Sequence, residues 1–590
     1  FKDNISFINS NENKNIYVYG KDAAVGIDAG KTVTIDGMGT PATAGNKTVG
    51  IYLENAGTGS TFTSNTTGQL IVQKEAVGIY SKGNNTLNVN VTASGEKTTG
   101  VFIEDGSTIT GTVTARGASG AGAVGVYGSR GAVTIGAVGL TLNTDADKGT
   151  GMYLADGAYA TGGKITVNNT AAVDNIGVYY SKGTASGTVT NGSEIELKGN
   201  KSIGIYAADG INLVNTKNIT STGLNNNIAS YVGGSSTLTS NGDITMTGAD
   251  NIGIYTGKGS GINNGTIDIT GSAGTSSAGM VAKTDTASDT ASVENKNTIT
   301  VGNNLGMYIK GDGASSGKNT GSIVATTGTG VYVDGGGNSF DGAGGSITSN
   351  AVGIYLKDTD AYKITAGTLN IGSGGVGVFG ENAKIDFAVN VAGTEAVGVA
   401  AKSGSVISGN VTTGQDSVGV YVLDNSVSFN GSVITTGTNS LNTSIGVLLA
   451  NGIGTYTMSN VSVNAKNGVG IYLGTGTDLT HNGTVTTEGG IGIYVANGTI
   501  LTTGTTVLNI QNGGTGIYID QGTANLGISG SLTFNFSSGG GIGIYNNGGK
   551  LTLGTNINAI GEGSIAATKN GDLISTGDIS GSGEGIIVLG

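Results

Sequence analysis

The stretch Val469–Leu473, which reads VGIYL, decides the fold because close copies of it recur along the whole chain. Val49–Leu53 repeats it without change, and Val352–Leu356 does the same. Counted from Gly26 to Gly585, with two degenerate copies in the wider gaps, there are 24 copies. Their mean spacing of about 24 residues lies in the range that is typical of solenoid repeats.

The second half of each repeat is rich in Thr, Val, Ile and Asn. Lys164–Asn168 (KITVN) and Asp243–Thr247 (DITMT) alternate apolar and polar residues, which indicates short β-strands. Gly, Asn, Asp and Ser separate these segments and favour turns. No segment has the spacing of an amphipathic helix, so the sequence predicts an all-β protein.

The repeat length selects the architecture. Three strands of four or five residues and three short turns use about 24 residues and close one coil, with neighbouring coils about 4.8 Å apart. Left-handed hexapeptide helices need about 18 residues per coil and propeller blades about 40, so neither fits. We therefore predict a right-handed parallel β-helix of about 24 coils of about 24 residues, forming a single continuous segment over residues 1–590.

The amino-acid composition and the net charge limit the classes of function that the protein can have. The 590 residues include 112 Gly, one Pro and no Cys, and the formal charge is −12. Without Cys there are no disulfides and no Cys-based zinc sites, and in so long a chain this favours an exported protein. The negative charge argues against nucleic acid or an anionic lipid surface as the partner. We predict no cofactor.

Strand alternation gives an expectation for the side chains of Val469–Leu473. Val, Ile and Leu would point inward, and Gly and Tyr outward. Tyr follows the motif glycine by two positions in sixteen copies and Phe in two, which predicts a ladder of rings beside a bare glycine track. The ladder either stiffens the coils by stacking or forms a recognition surface. For the second interpretation the candidate ligand-binding residues are Tyr472, Tyr494, Tyr518 and Tyr545.

Residues that carry chemistry are sparse. The only histidine, His481, lies in a Thr-His-Asn-Gly sequence, for which we predict a solvated turn. Asp334–Gly342 is similar to a calcium loop, but it is a single copy and we interpret it as a turn. Carboxylates are scattered over many turns and do not cluster as glycoside hydrolysis requires. The sequence therefore indicates a non-enzymatic protein with no metal site.

Two repeats are longer than the rest. Glu54–Asn65 and Ala282–Asn297 each lengthen their coil by a few residues. Because loops carry function more often than the scaffold does, Glu54, Asp285 and Asp289 are further candidate ligand-binding residues. The alternative is that these segments are slack polar turns.

The Val-Gly-Ile-Tyr repeat, the absence of Cys and the acidic, Gly-, Thr- and Asn-rich composition resemble the passenger regions of type V autotransporter adhesins, above all the large fusobacterial outer-membrane adhesins. The resemblance implies a β-helical passenger exposed on the cell surface and held in the outer membrane through a C-terminal barrel. It implies binding to host-cell glycans or receptor proteins and to other bacteria, and it supplies no catalytic motif.

The first residue, Phe1, does not open a signal peptide, and residues 585–590 are apolar, so we expect a segment of a longer protein. Two alternative functions stay open. One is a rigid spacer that displays a binding head located outside the segment. The other is a β-helical polysaccharide-degrading enzyme.

Overall fold

The computed structural model describes residues 1–9, 15–37, 48–95, 97–116, 122–144, 149–169, 175–184, 186–270, 276–360, 363–436, 444–554, 556–576, 580–581 and 584–589. The fold is all-β, and its parallel strands stack as a right-handed solenoid with about 24 residues per turn. This confirms the predicted fold class. Within the described ranges, no helix has the length and hydropathy needed to cross a membrane.

The structure forms two compact units, Phe1–Gly321 and Ser322–Gly590. The single continuous segment over residues 1–590 stays a prediction. We call the strand that carries the repeated motif in each coil the motif strand. In the first unit the motif strands are Ile16–Lys21, Val49–Glu54, Val77–Lys82, Thr99–Glu104, Val124–Ser129, Thr150–Ala155, Asn175–Ser181, Ser202–Ala208, Ile228–Val232, Ile252–Thr256, Ala278–Thr284 and Leu305–Gly311. In the second they are Thr329–Asp334, Val352–Lys357, Val376–Glu381, Val397–Lys402, Val418–Val422, Ile445–Leu449, Val469–Leu473, Ile491–Val495, Thr515–Ile519, Ile542–Asn546, Ser564–Lys569 and Glu584–Leu589.

The remaining strands complete each coil, either as two short strands or as one long bent strand. In the first unit they are Ile5–Ile8, Ala24–Ile27, Thr32–Asp36, Thr61–Ser64, Gln69–Gln73, Asn85–Ser94, Ser107–Arg116, Ala132–Thr144, Tyr159–Asn169, Thr188–Leu197, Asn212–Asn215, Ile219–Ser221, Ser236–Ser240, Ile244–Met246, Gly259–Asn263, Ile267–Ile269, Thr290–Asn295, Thr298–Val301 and Ala314–Asn319. In the second they are Ser322–Ala325, Ser339–Asp341, Ser346–Ser349, Ile364–Thr365, Thr368–Ile371, Lys384–Ile385, Val389–Val391, Val406–Ile407, Val411–Thr413, Ser428–Phe429, Ser432–Thr436, Gly454–Lys466, Thr477–Glu488, Thr499–Gln511, Thr523–Ser537, Lys550–Leu553, Ile557–Ile560, Asp572–Ser575 and Ser580–Gly581.

Equivalent residues of neighbouring coils pair in parallel register, which produces columns of like side chains. Ile471, Ile493 and Ile517 form such a column inside the second unit and are completely buried. Burial of aliphatic side chains of this size contributes about 1.5–3 kcal/mol each. Since every coil repeats the column, the core extends with each repeat.

The motif glycine points inward, so the predicted outward glycine track is wrong. Along Val469–Leu473 the first residue is partly exposed, whereas Gly470 and Ile471 are both buried. A Cβ atom on Gly470 would lie 2.4 Å from the carbonyl oxygen of Gly492 and 2.8 Å from Cγ1 of Val485. Strict alternation fails because two consecutive residues face the core, and only glycine fits so close to the next coil.

The first motif copy also lies elsewhere than predicted. Gly26 belongs to Ala24–Ile27, which pairs with Thr61–Ser64 and not with a motif strand. The motif strand of this coil is Ile16–Lys21, which pairs with Val49–Glu54. Spacing alone selected the Ala-Val-Gly-Ile sequence, although it lacks the Tyr or Phe that most of the other copies have.

Buried asparagine side chains form a column of hydrogen bonds inside the first unit. Asn263 Nδ2 donates to Asn295 Oδ1 at 2.9 Å, and Asn295 Nδ2 donates to Asn319 Oδ1 at 2.9 Å. Asn295 Nδ2 also donates to the carbonyl oxygen of Asn297 at 2.9 Å. All three members of the column, Asn263, Asn295 and Asn319, are completely buried, so this asparagine column holds a turn in the same conformation in successive coils.

Candidate functional site

The four predicted tyrosines form one stack on the outer face of the second unit. Tyr472, Tyr494, Tyr518 and Tyr545 occupy the same position of consecutive motif strands. Their ring centroids are 5.0, 5.2 and 5.3 Å apart, with interplanar angles of 4–20°. Each ring is partly exposed, so the aromatic ladder that the sequence predicts is present here. We call these four residues the tyrosine face.

A longer aromatic run in the first unit extends the same pattern. Ten rings follow one another with centroids 4.6–5.6 Å apart and interplanar angles of 8–20°. Val281 takes the next position. Stacked pairs contribute about 0.5–1.5 kcal/mol beyond burial. The rings of this run are Tyr19, Tyr52, Tyr80, Phe102, Tyr127, Tyr153, Tyr179, Tyr206, Tyr231 and Tyr255.

Several hydroxyl groups of the aromatic runs donate to a carboxylate in the next coil, a pairing that the sequence argument missed. Its sequence signal is an acid four positions after the motif glycine. The carboxylate belongs to Glu104 in the case of Tyr80, at 2.5 Å. In the second unit Tyr355, which stacks between Tyr332 and Phe379, donates to Glu381 at 2.6 Å. Burial and the hydrogen bond to Glu104 raise the pKa of Tyr80.

Glu54, one of the predicted site residues, has the same role. Tyr19 donates its hydroxyl to Oε2 of Glu54 at 2.5 Å. Glu54 is also paired in register with Lys21 and Lys82 on the two neighbouring motif strands. The structure therefore places Glu54 in contacts between neighbouring coils.

The long segment after Glu54 is an ordered turn. Oδ1 of Asp22 accepts four backbone N–H groups, from Ala56 and Gly59 at 3.0 Å and from Gly57 and Thr58 at 3.2 Å. These hydrogen bonds lower the pKa of Asp22. The turn is organised around the carboxylate of the preceding coil, which argues against the slack-turn interpretation at this position.

Asp285 and Asp289 lie in the turn after Ala278–Thr284, and each has a lysine partner. Lys283 Nζ is 3.1 Å from Oδ1 of Asp285, and Lys258 Nζ is 2.9 Å from Oδ1 of Asp289. The Asp285 side chain is 75% exposed and that of Asp289 is 24% exposed. The two aspartates share one turn, whereas Glu54 lies in a distant coil of the same unit, so the three carboxylates form no common site.

The surroundings of the tyrosine face are almost uncharged. On one side the outward column is Val469, Ile491, Thr515 and Ile542. On the other side it is Ala496, Asp520 and Asn547, and the first coil has the buried Gly474 at this position. The hydroxyl oxygen of Tyr494 lies 3.4 Å from Oδ2 of Asp520. Burial is the main cause that raises the pKa of Tyr494 to about 12, and the negative charge of Asp520 is the second cause.

The other hydroxyl groups of the tyrosine face are available to a ligand. Within the described ranges, those of Tyr472, Tyr518 and Tyr545 have no hydrogen-bond partner. Rigid rings with a polar tip suit recognition, and this arrangement offers no nucleophile and no acid–base pair.

His481 lies in the core, so the predicted solvated turn is wrong. It is completely buried in Thr477–Glu488, in register with Met458 and Thr502 of the neighbouring coils. Burial lowers its pKa to about 4, and its ring nitrogens have no hydrogen-bond partner in the described structure. The Asn-Gly sequence after it forms a corner within a long strand, not a surface turn.

The described residues offer little to a metal ion. Among them, no group of three or more His, Cys, Asp or Glu side chains is placed to hold one. Residues 335–338 form a turn before the strand Ser339–Asp341, and the buried side chain of Asn338 donates to the backbone carbonyl oxygen of Asp334.

The stacked aromatic runs are regular, partly exposed features of both units. No protein-family model, curated protein or solved structure gives a significant match to the chain, so a functional assignment rests on the chemistry of these surfaces.

Proposed function

We propose that this chain is the binding region of a cell-surface adhesin, displayed as part of a type V autotransporter passenger and without enzymatic activity. Its partners are host-cell glycans or receptor proteins and other bacteria. The observation that supports this is the tyrosine face, whose rings are partly exposed and stack in register on four consecutive coils.

The proposed binding mechanism depends on the regular repetition of the tyrosine rings. Each tyrosine offers a flat apolar ring and a hydroxyl group, and the rings recur every 5.0–5.3 Å. A single shallow contact of this kind is weak, but linked contacts raise the effective concentration of the next one and increase avidity about 10²–10⁴-fold. A flat face of this type binds extended ligands better than compact ones.

The alternative function, a rigid spacer, has its own supporting observation. Opposite charges alternate beside the aromatic run of the first unit, where Lys21, Glu54, Lys82 and Glu104 are paired in register from coil to coil. Such cross-strand pairs contribute about 0.2–1 kcal/mol each. Here the aromatic and charged columns contact each other, which favours stiffness over recognition.

The experiment compares binding of the purified chain to host cells and to a glycan array. The test variant carries Tyr472→Ala, Tyr494→Ala and Tyr518→Ala together. The matched control carries Thr486→Ala, Asn509→Ala and Asn535→Ala, which also changes three outward side chains in register on neighbouring coils. Circular dichroism establishes that both variants keep the fold.

Loss of binding in the tyrosine variant alone supports the proposal. Equal binding by wild type and both variants places recognition away from the tyrosine face. No binding of the folded wild type to either surface favours the spacer.

A further inference from the structure

The motif strands of six consecutive coils in the second unit present an apolar outer surface. Their first and fourth residues point outward in register, because the two residues between them face the core. We call the outward residues of these six coils the apolar face. Its first column, which is partly exposed along its whole length, consists of Val397, Val418, Ile445, Val469, Ile491 and Thr515, and its second column consists of Ala400, Tyr421, Leu448, Tyr472, Tyr494 and Tyr518.

The third column of the apolar face lies five positions after the first, and only its two ends are charged. It begins with Lys402 and ends with Asp520. The Lys402 side chain is 39% exposed, and its ammonium lies 3.5 Å from Oε2 of Glu381. Asp520 is partly exposed, and its Oδ1 accepts from Asn547 Nδ2 at 3.1 Å. The uncharged residues between the two ends are Leu423, Ala450, Gly474 and Ala496.

A second copy of the chain matches this charge pattern. A two-fold axis that lies between two such faces and runs along the strands inverts the order of the coils but keeps each column opposite itself. Lys402 of each copy then faces Asp520 of the other, and the four uncharged residues face one another. A two-fold interface makes every contact twice, so two opposite-charge pairs form. A shift by one coil removes both pairs, and the end charges therefore fix the register.

The second column is complementary to itself in the same arrangement. Ala400 and Leu448 occupy the two positions at which this column lacks an aromatic ring. The two-fold axis places Ala400 opposite Tyr518 and Leu448 opposite Tyr472. At these two positions a smaller side chain faces a larger one, which favours close packing between the two copies.

The area of the apolar face is sufficient for a weak dimer. Six coils spaced about 4.8 Å apart and columns that span five residues of about 3.3 Å cover about 400–500 Å² of each copy. Stable complexes bury about 800 Å² per partner, and transient ones bury less than about 600 Å². The apolar face therefore supports reversible pairing that depends on the concentration of the chain.

We propose that the apolar face binds a second copy of this chain in antiparallel orientation. The first and second columns supply the apolar contact, and the pairs between Lys402 and Asp520 set the orientation and the register. A second copy is not among the partners proposed above, and the pairing does not depend on the adhesin function, because a solution of the chain alone can show it.

Sedimentation equilibrium of the whole chain tests the pairing at about 0.15 M salt, where charge repulsion between two copies is screened beyond about 8 Å. The test variants are Lys402→Glu and Asp520→Lys, singly and together. The matched control is Lys466→Glu, because Lys466 is 50% exposed, lies 3.6 Å from Glu488 and belongs to a strand outside the apolar face. All of these variants keep the tyrosine face, so host-cell binding tests the adhesin function separately.

We expect the wild type to dimerise, and we expect each single variant to raise the dimer dissociation constant about tenfold or more, because like charges then meet twice. The double variant restores two opposite-charge pairs and should dimerise as the wild type does, as should Lys466→Glu. A folded wild type that stays monomeric at its highest soluble concentration overturns the inference, whether or not it binds phosphatidylcholine vesicles. Single variants that dimerise as the wild type does also overturn it.

Cross-linking tests the orientation, since the chain has no Cys. A short bismaleimide should join Leu423→Cys to Ala496→Cys when the two variants are mixed. Neither variant should be joined to itself, because the two positions are three coils, or about 14 Å, apart in each copy. Cross-linking of either variant alone would indicate parallel pairing and contradict the proposal.

Discussion

Tyr80 donates its hydroxyl to the carboxylate of Glu104 at 2.5 Å, and the two residues lie in neighbouring coils. Hydrogen bonds to charged groups contribute about 1.5–3 kcal/mol. Since Glu104 is also paired with Arg130, one carboxylate links three successive coils. The aromatic run is therefore held by hydrogen bonds as well as by ring stacking.

We predict that Tyr80→Phe lowers the free energy of unfolding by about 1–2 kcal/mol, because the ring stack remains and only the hydrogen bond is lost. Tyr153→Phe is the control, since its hydroxyl group has no partner in the described structure. Urea denaturation followed by circular dichroism measures both. Equal stability of the two variants would show that the Tyr80–Glu104 pair adds nothing.

Alkaline pH should destabilise the fold through the tyrosines. Burial raises the pKa of Tyr179 and Tyr231 from 10.0 to about 12. Above pH 10 the unfolded chain releases these protons before the folded chain does, so the stabilisation is complete below pH 10 and is lost as pH rises through about 12. A variant with Phe at both positions should lose less stability across this interval. Parallel phenolate absorbance and circular dichroism titrations measure the effect, and identical pH profiles would contradict it.

Acid should destabilise the fold through His481. Burial lowers its pKa from 6.5 to about 4, so the unfolded chain binds a proton that the folded chain excludes. The contribution of the neutral histidine is present above about pH 6.5 and is lost as pH falls through about 4, with a limit of about 3 kcal/mol. His481→Leu should remove this part of the pH dependence. Urea midpoints across the interval check it, and an unchanged pH dependence would indicate a solvated histidine.

The inward glycine gives a prediction about packing. Gly470→Ala forces a methyl group to within 2.4 Å of the Gly492 carbonyl oxygen, and overpacking of this kind costs about 1–3 kcal/mol. The control is Gly57→Ala, because a Cβ atom there meets nothing within 4 Å. Thermal unfolding of the two variants should differ clearly. A Gly470→Ala variant as stable as the control would restore the outward assignment.

Truncation of one side chain of the asparagine column should lower the stability of the fold. Asn295→Ala removes the two buried hydrogen bonds that join Asn295 to Asn263 and to Asn319, and each such hydrogen bond contributes about 0.5–1.5 kcal/mol. Asn264→Ala removes only an exposed hydrogen bond to Asn241 and should change stability by less than about 0.5 kcal/mol. Hydrogen exchange of the neighbouring coils locates the loss. A shift of equal size in both variants would contradict the structural role of the column.

The repeat period and the position of the tyrosines were sufficient to predict the coil length, the parallel register and the ring stack. Side-chain direction at Gly470 was not predictable from alternation, because the strand places two consecutive residues in the core. The burial of His481 was not predicted, because the Asn-Gly pair after it is typical of a surface turn but here forms a corner within a long strand. The pairing of Glu54 with Tyr19 escaped prediction because the two residues are 35 positions apart in the chain.

The most direct test of the proposed adhesin function is the concentration of chain that half-saturates host cells, compared between the wild type and the Tyr472→Ala, Tyr494→Ala, Tyr518→Ala variant. Multivalent contact through the tyrosine face predicts a rise of about tenfold or more with an unchanged circular dichroism spectrum. Equal half-saturation by the two folded proteins would contradict the proposal and leave the tyrosine face with a purely structural role.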